Sequence, residues 1–259
     1  MKDLERSTLL IGDLHLGNIH SDIMSFYTLV IRTINNYQPK LLNLVFLGDV
    51  IESAGKYRTQ VYKILNIEPL YLQKKILEYL LTRLSLIAEG LGTKLKVILI
   101  EGNHDLSYHH GNILDNLNIP CEYKVYEHHV ILKWNEKRIL CIHTVAKSSR
   151  GSYLTGWSGY LKRKAIQELK RYKCDIICMG HTHQPMVSMI FEDGYGFIML
   201  PSFLVGEGLG LYHQGLLLTE YGFNIIELPK QDMYSVEEQN IELMRSILQK
   251  RRISGEEVI

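Results

Sequence analysis

The sequence predicts an α/β fold, and three observations carry that expectation. Apolar runs of strand length recur along the chain, and an amphipathic block of helical period separates two of them. Five of these runs, Leu9–Ile11, Leu44–Leu47, Val97–Ile100, Ile139–Ile142 and Ile176–Met179, stop at a cluster of Asp, Asn or His. Strand–helix–strand alternation is the pattern of α/β domains. At 259 residues and 46% hydrophobic, the chain can bury a full core without disulfides or oligomerisation.

In order, the first two runs predict strands. The helical block follows between Asp49 and Val97: over Tyr71–Leu91, Leu72, Ile76, Tyr79, Leu80, Leu84 and Ile87 fall near a 3.6-residue spacing, a helix packed on a sheet. After the third strand, Cys121–Tyr126, Val130–Trp134 and Lys137–Ile142 are β-rich, with Asn135-Glu136 as a hairpin turn. A second helix covers about Tyr160–Tyr172. Val187–Phe191 and Phe197–Leu200 form a hairpin around Glu192–Gly196, and Leu216–Thr219 and Phe223–Leu228 complete the strands. Residues 234–251 predict a charged amphipathic helix with Val236, Ile241, Met244 and Ile247 or Leu248 on one face. The metal-type clusters run through most of the chain, so residues 1–231 are expected as one domain and 232–259 as a C-terminal helical tail, which packs on the body or serves oligomerisation.

The clusters read Asp13-Leu-His15, Gly48-Asp49-Val-Ile-Glu52, Gly102-Asn103-His104-Asp105, His143 and Gly180-His181-Thr-His183. Each has an ordinary reading. A lone His near an apolar strand is usually a hydrogen-bonded structural residue, and Asp or Asn after Gly shapes turns and caps helices. The joint occurrence defeats these readings, because five of the eleven His fall in such clusters and all the clusters bear oxygen or imidazole donors. Strand ends are where side chains from distant sequence converge on one crevice. The arrangement predicts a binuclear metal site. Carboxylate and imidazole donors without thiolate suit Mn, Fe, Zn or Co better than Ca or Mg.

DxH, GDxxE, GNHD, a lone His and GHTH, in that order over about residues 8–203, resemble the calcineurin-like metallophosphoesterases. Two departures stand out: Glu52 where the family often has Asp, and His143 flanked by Ile142 and Thr144 where many members have a Gly. The resemblance implies a sandwich of two mixed β-sheets with flanking helices. It implies two divalent metal ions, Mn2+ foremost: Asp13, His15 and His183 on one, Asn103, His143 and His181 on the other, and Asp49 bridging both. A hydroxide between the metals would attack phosphorus. His104 would protonate the leaving oxygen, with Asp105 orienting its imidazole and keeping it cationic.

For the substrate, the stretch after His143 carries Lys147, Arg150, Tyr153, Trp157, Tyr160, Lys162, Arg163 and Lys164. Cations with interleaved aromatics suit a phosphodiester strand, single-stranded DNA or RNA, with Arg150 and Arg163 on phosphates and Tyr153 or Trp157 as a stacking face. The ordinary alternative is a helix with a solvated basic face. Residues 48–80, with Gly55, Tyr57, Gln60 and Gln73, are similar to a segment of the small subunits of archaeal D-family DNA polymerases and of phage-type phosphoesterases. The leading expectation is therefore a nuclease-like phosphodiesterase. A hydrolase of a small phosphorylated metabolite comes second, and a non-catalytic scaffold last.

A net charge of +1 gives no bulk argument for nucleic acid or membrane, so any basic surface must be local. No apolar stretch approaches the ~20 residues needed to cross a bilayer, and the start lacks a secretory pattern, so no membrane and a cytoplasmic location are expected. Cys121, Cys141, Cys174 and Cys178 are expected as buried free thiols, with Cys174 and Cys178 on one face of a strand.

Overall fold

The computed structural model describes residues 4–52, 69–107, 111–112, 114–145, 159–183, 186–206 and 211–254. Two mixed sheets pack face to face with helices on both outer sides. The first sheet has six strands in the order β13 (Gly222–Pro229), β12 (Tyr212–Thr219), β1 (Arg6–Ile11), β2 (Leu41–Phe46), β3 (Lys94–Ile100) and β6 (Glu122–Tyr126). β1, β2, β3 and β6 run parallel, with Leu9 opposite Leu44 and Leu44 opposite Val97, whereas β12 lies antiparallel to β1. The second sheet has the order β10 (Ser188–Glu192), β11 (Tyr195–Met199), β9 (Ile176–Met179), β8 (Lys137–Ile142) and β7 (His129–Trp134), with β8, β9 and β11 parallel. A small ladder pairs β4 (Leu106–Ser107) with β5 (Gly111–Asn112).

The apolar runs have no polar alternation because both faces of these strands are covered. Leu9, Ile11, Leu44, Phe46, Val97 and Leu99 point to a helix-facing core, and their neighbours Leu10, Val45, Leu47, Ile98 and Ile100 point between the sheets. On the second sheet, Ile139, Cys141, Ile176 and Cys178 meet them across the sandwich, while Leu140, Ile177 and Met179 face outward to Leu161, Ala165 and Leu169 of α3 (Gly159–Tyr172). The other outer side carries α1 (Ile23–Tyr37), α2 (Pro69–Gly90) and α4 (Met233–Ser254).

The expected elements are present, several of them longer than their apolar centres. Among the described residues, α1 is the one helix the sequence reading passes over. Asp22 caps its N-terminus by accepting from Ser25 N at 2.9 Å, and Phe26, Leu29, Val30 and Ile34 pack inward. Its β-branched and aromatic content weakens the helix signal, and packing overrides it. Cys174 also departs from expectation. β9 starts at Ile176, so Cys174 lies before the strand and packs with α3, whereas Cys178 faces the other sheet. All four cysteines are free, and Cys121 is only partly buried.

Candidate metal centre

Parallel strands deliver their C-terminal ends to one edge of each sheet, and the sandwich brings the two edges together. Asp13 and His15 follow β1, Asp49 and Glu52 follow β2, Asn103, His104 and Asp105 follow β3, His143 follows β8, and His181 and His183 follow β9. The loops hold one another through the backbone. His15 N donates to Asp49 O at 2.8 Å, His104 N to Asp49 Oδ1 at 2.8 Å, and His181 N to Asp13 Oδ1 at 3.0 Å. His15, Asp49, His181 and His183 all have positive φ, between 44° and 64°, a region most side chains avoid and one often found at functional sites. Gly48, at φ +100°, serves the same packing: a Cβ there would lie 2.4 Å from His143 Nδ1. At Gly180 a Cβ would lie 2.3 Å from Asp13 Oδ1.

Three donor groups result: Asp13, His15 and His183; Asp49, His143 and His181; and, sharing His15 with the first, His15, Glu52 and His104. In the first, His15 Nε2 lies 3.0 Å from His183 Nε2, and His183 Nε2 lies 3.2 Å from Asp13 Oδ2, a buried oxygen with no well-formed hydrogen bond. In the second, His143 Nε2 lies 3.0 Å from His181 Nδ1, 3.0 Å from Asn103 Oδ1 and 3.2 Å from Asp49 Oδ2. Asp49 Oδ2 is also 3.9 Å from His15 Nε2, so this carboxylate stands between the first two groups.

These residues fit divalent cations. Ring nitrogens and carboxylate oxygens crowded at about 3 Å have the spacing of neighbouring ligands with bonds of ~2.0–2.2 Å. The ring tautomers are set for it as well: His143 Nδ1 donates to Leu47 O at 2.8 Å, and His15 Nδ1 donates to Glu52 Oε2 at 3.0 Å, which turns each Nε2 toward the donor group. Asp13, Asp49, Glu52 and Asp105 are all buried, and among the described residues no Lys or Arg is buried beside them. Carboxylates out of water need compensating charge, which divalent cations supply.

Titration behaviour reflects the same crowding. Burial opposes charge on His143, but the Asp49 carboxylate against it raises its pKa to about 9. Burial likewise opposes the charge on Asp49, yet His143, His15 and His104 hold it well below the usual carboxylate range. Glu52 works against its own burial in the same way, and its hydrogen bonds with His104 and His15 bring it to about 2.

His104 sits on the solvent side, with Nδ1 2.5 Å from Glu52 Oε1 and a side chain 26% exposed. Despite partial burial, Glu52 raises its pKa. The expectation gave this role to Asp105; in the structure Glu52 makes the hydrogen bond to the ring, and the Asp105 charge is a smaller contribution in the same direction. Asp105 is buried and its oxygens accept from Ile51 N at 2.9 Å and Gly102 N at 2.8 Å, so it shapes the loop; burial and the Asp49 charge lift it to about 7. The extra methylene of Glu52 lets one carboxylate reach both His15 and His104. The sequence flagged the departure at Glu52 but not this double contact. Gln73 of α2 clamps the same residue, accepting from Glu52 N and donating to Glu52 O, both at 3.0 Å.

A family model described as calcineurin-like phosphoesterase matches residues 7–185, which span all five clusters. The chain belongs to the calcineurin-like phosphoesterases. The solved structures it resembles include a single-mutant Vps29 from Entamoeba histolytica, at 13% identity over 87% of this chain and 99% of that one, with a TM-score of 0.44. Vacuolar protein sorting 29 from Cryptosporidium parvum matches at 16% identity over 88% and 100%, with a TM-score of 0.42. A Streptococcus pneumoniae protein described as a predicted phosphoesterase matches at 12% identity over 86% and 97%, with a TM-score of 0.38. No curated protein sequence matches.

In this calcineurin-like phosphoesterase, Arg150, Tyr153 and Trp157 lie outside the described residues. Arg163 is exposed on the first turns of α3, beside Lys162 and Lys164. α3 lies between the parallel strands β8 and β9 in the chain, and Lys162 in its first turn pairs with Glu192 where β10 turns into β11. Among the described residues no helix is long and apolar enough to cross a membrane.

Proposed function

We propose that this chain is a two-cation phosphodiesterase that cleaves a nucleic-acid strand. The observation that carries the reading is the pair of donor groups on either side of Asp49. Asp13, His15 and His183 would hold one cation, Asn103, His143 and His181 the other, and Asp49 would contact both. Bound there, two divalent cations, Mn2+ foremost with Fe, Zn or Co as alternatives, would neutralise phosphoryl oxygens and lower the pKa of water.

The chain's own residues supply the rest. Asp13, His15, Asp49 and His143 are buried, whereas Asn103, His104, His181 and His183 reach solvent, so a phosphodiester approaches from the His104 side. Glu52 raises the pKa of His104 against its partial burial, which favours the protonated ring that can give a proton to the departing oxygen. The exposed Arg163 and Lys164 of α3 favour an extended polyanion over a small metabolite. A complete donor set favours an enzyme over a scaffold.

The test compares single-stranded DNA, RNA, bis(p-nitrophenyl) phosphate and p-nitrophenyl phosphate with manganese, alongside metal analysis. Two metal equivalents per chain and cleavage of an oligonucleotide are expected, and Asp49→Ala should lose both metals. Metal without oligonucleotide cleavage hands the substrate to the small-metabolite reading. One equivalent or none at saturating manganese sinks the two-cation site.

A further inference from the structure

The family match ends at residue 185, yet α4, far beyond it, reaches the loop that continues from Asp13 and His15 of the first donor group. Asn240 lies in the middle of the inward face of α4, between Val236, which is buried, and Leu243, which packs against the helix-facing core. Only 2% of Asn240 is exposed, and its Nδ2 donates to Ile19 O at 3.0 Å and Ser21 O at 2.9 Å. One turn earlier, Glu237 Oε1 lies 3.2 Å from His20 Nε2. Gln239 donates to Gln231 at 2.7 Å, and Gln231 donates to Asp22 Oδ1 at 3.3 Å. Side chains on or just before α4 therefore grip successive residues of one loop.

That loop is the continuation of Asp13-Leu14-His15. It folds back so that Asn18 N donates to His15 O at 2.9 Å, and Ser21 Oγ donates to Leu14 O, between the two donors, at 2.6 Å. Asn18 Nδ2 also reaches Glu52 Oε2 at 3.4 Å, the oxygen that holds His15. A buried amide that spends both N–H groups on two loop carbonyls fixes the path of the loop, and a polar residue on an apolar helix face costs desolvation that apolar packing would avoid.

We propose that Asn240 is a positioning residue for the Asp13–His15–His183 cation site, which makes α4 part of that site's scaffold and not an appended tail. The proposal rests on the reading of these three residues as cation ligands. Its test uses the full chain as wild type, Asn240→Asp, Asn240→Ala and, as a control on the same helix face, Val236→Ala. Asn240→Asp keeps the volume but loses both donors and sets negative charge against two carbonyls. Amide hydrogen exchange in metal-free protein should speed up in residues 14–22 for both Asn240 variants and not for Val236→Ala. Manganese titration should show one of two binding steps weakened about 10–100-fold, with the other within about twofold, the range for losing an outer partner of a ligand. Val236→Ala should lower thermal stability and leave both steps in place. Equal weakening of both steps, or of neither, in a folded Asn240 variant overturns the proposal. If the wild type binds no manganese, the two-cation reading fails, and exchange decides alone: unchanged protection at 14–22 then overturns the positioning role.

Discussion

At the residue scale, Glu52 explains how one carboxylate can serve two rings. It orients His15 through Oε2 and favours the protonated form of His104 through Oε1. His104→Ala should keep its metals and lose roughly 10²–10⁴-fold in rate with poor leaving groups, the range for general acid catalysis. With p-nitrophenolate, which departs without a proton, the loss should be smaller; equal losses would reassign His104 to phosphate positioning. Glu52→Gln removes the charge that raises the His104 pKa. An acid acts only while protonated, so the alkaline fall of the rate profile should move to lower pH in Glu52→Gln, and should stay near its place in Asp105→Asn. The sequence exposed which side chains converge, because each stands at a strand end. It hid which carboxylate meets which ring, since Glu52 and Asp105 are equally close to the site in sequence and only their reach across loops separates them.

At the scale of elements, legibility followed burial. Strands covered on both faces, such as β2 and β9, are plain in the sequence as unbroken apolar runs. α1 is concealed by a Thr-Leu-Val-Ile stretch that suits a strand equally well, and its Asp22 cap is the local signal that could have found it. Asn240 is concealed for a different reason, because a polar residue on a helix reads as solvent-facing unless its partners are known. Arg163 is exposed on α3, and the proposed strand contact there predicts that Arg163→Glu weakens binding of single-stranded DNA and flattens its salt dependence. The same change should spare bis(p-nitrophenyl) phosphate, which does not extend to the helix. An equal loss on both substrates in a stably folded variant would mean that α3 contributes no strand contact. Trp157→Ala should show the same contrast, with a lost stack weakening binding by about 1–3 kcal/mol.

At the scale of the whole molecule, the buried carboxylates and rings couple stability to pH and metal. His143 has its pKa raised from 6.5 to about 9. In the cation-free protein its proton therefore stabilises the fold fully below about pH 6.5, and that contribution is lost as pH rises through about 9. Bound cations replace the proton, so binding releases it and apparent affinity climbs with pH over this window. A chelator should lower the melting temperature more at pH 8.5 than at pH 6.5. At a hundredfold excess over Kd, a bound cation adds about 2.7 kcal/mol, or about 5–10 °C for a chain of this size. A chelator effect independent of pH would detach His143 from cation binding. Scans of thermal unfolding with and without chelator at the two pH values measure this directly.

The pairing of Thr8 with Leu218 bears on how the molecule comes into being. β1 is an interior strand whose neighbour on one side emerges from the ribosome some two hundred residues after it. Until then its hydrogen-bonding edge is open, and the loop bearing Asp13 and His15 lacks both β12 and α4 behind it. Long-range closure of this kind is slow, and it exposes an unpaired edge to other chains. A truncation at residue 185, where the family match stops, should accordingly aggregate instead of yielding a smaller phosphoesterase.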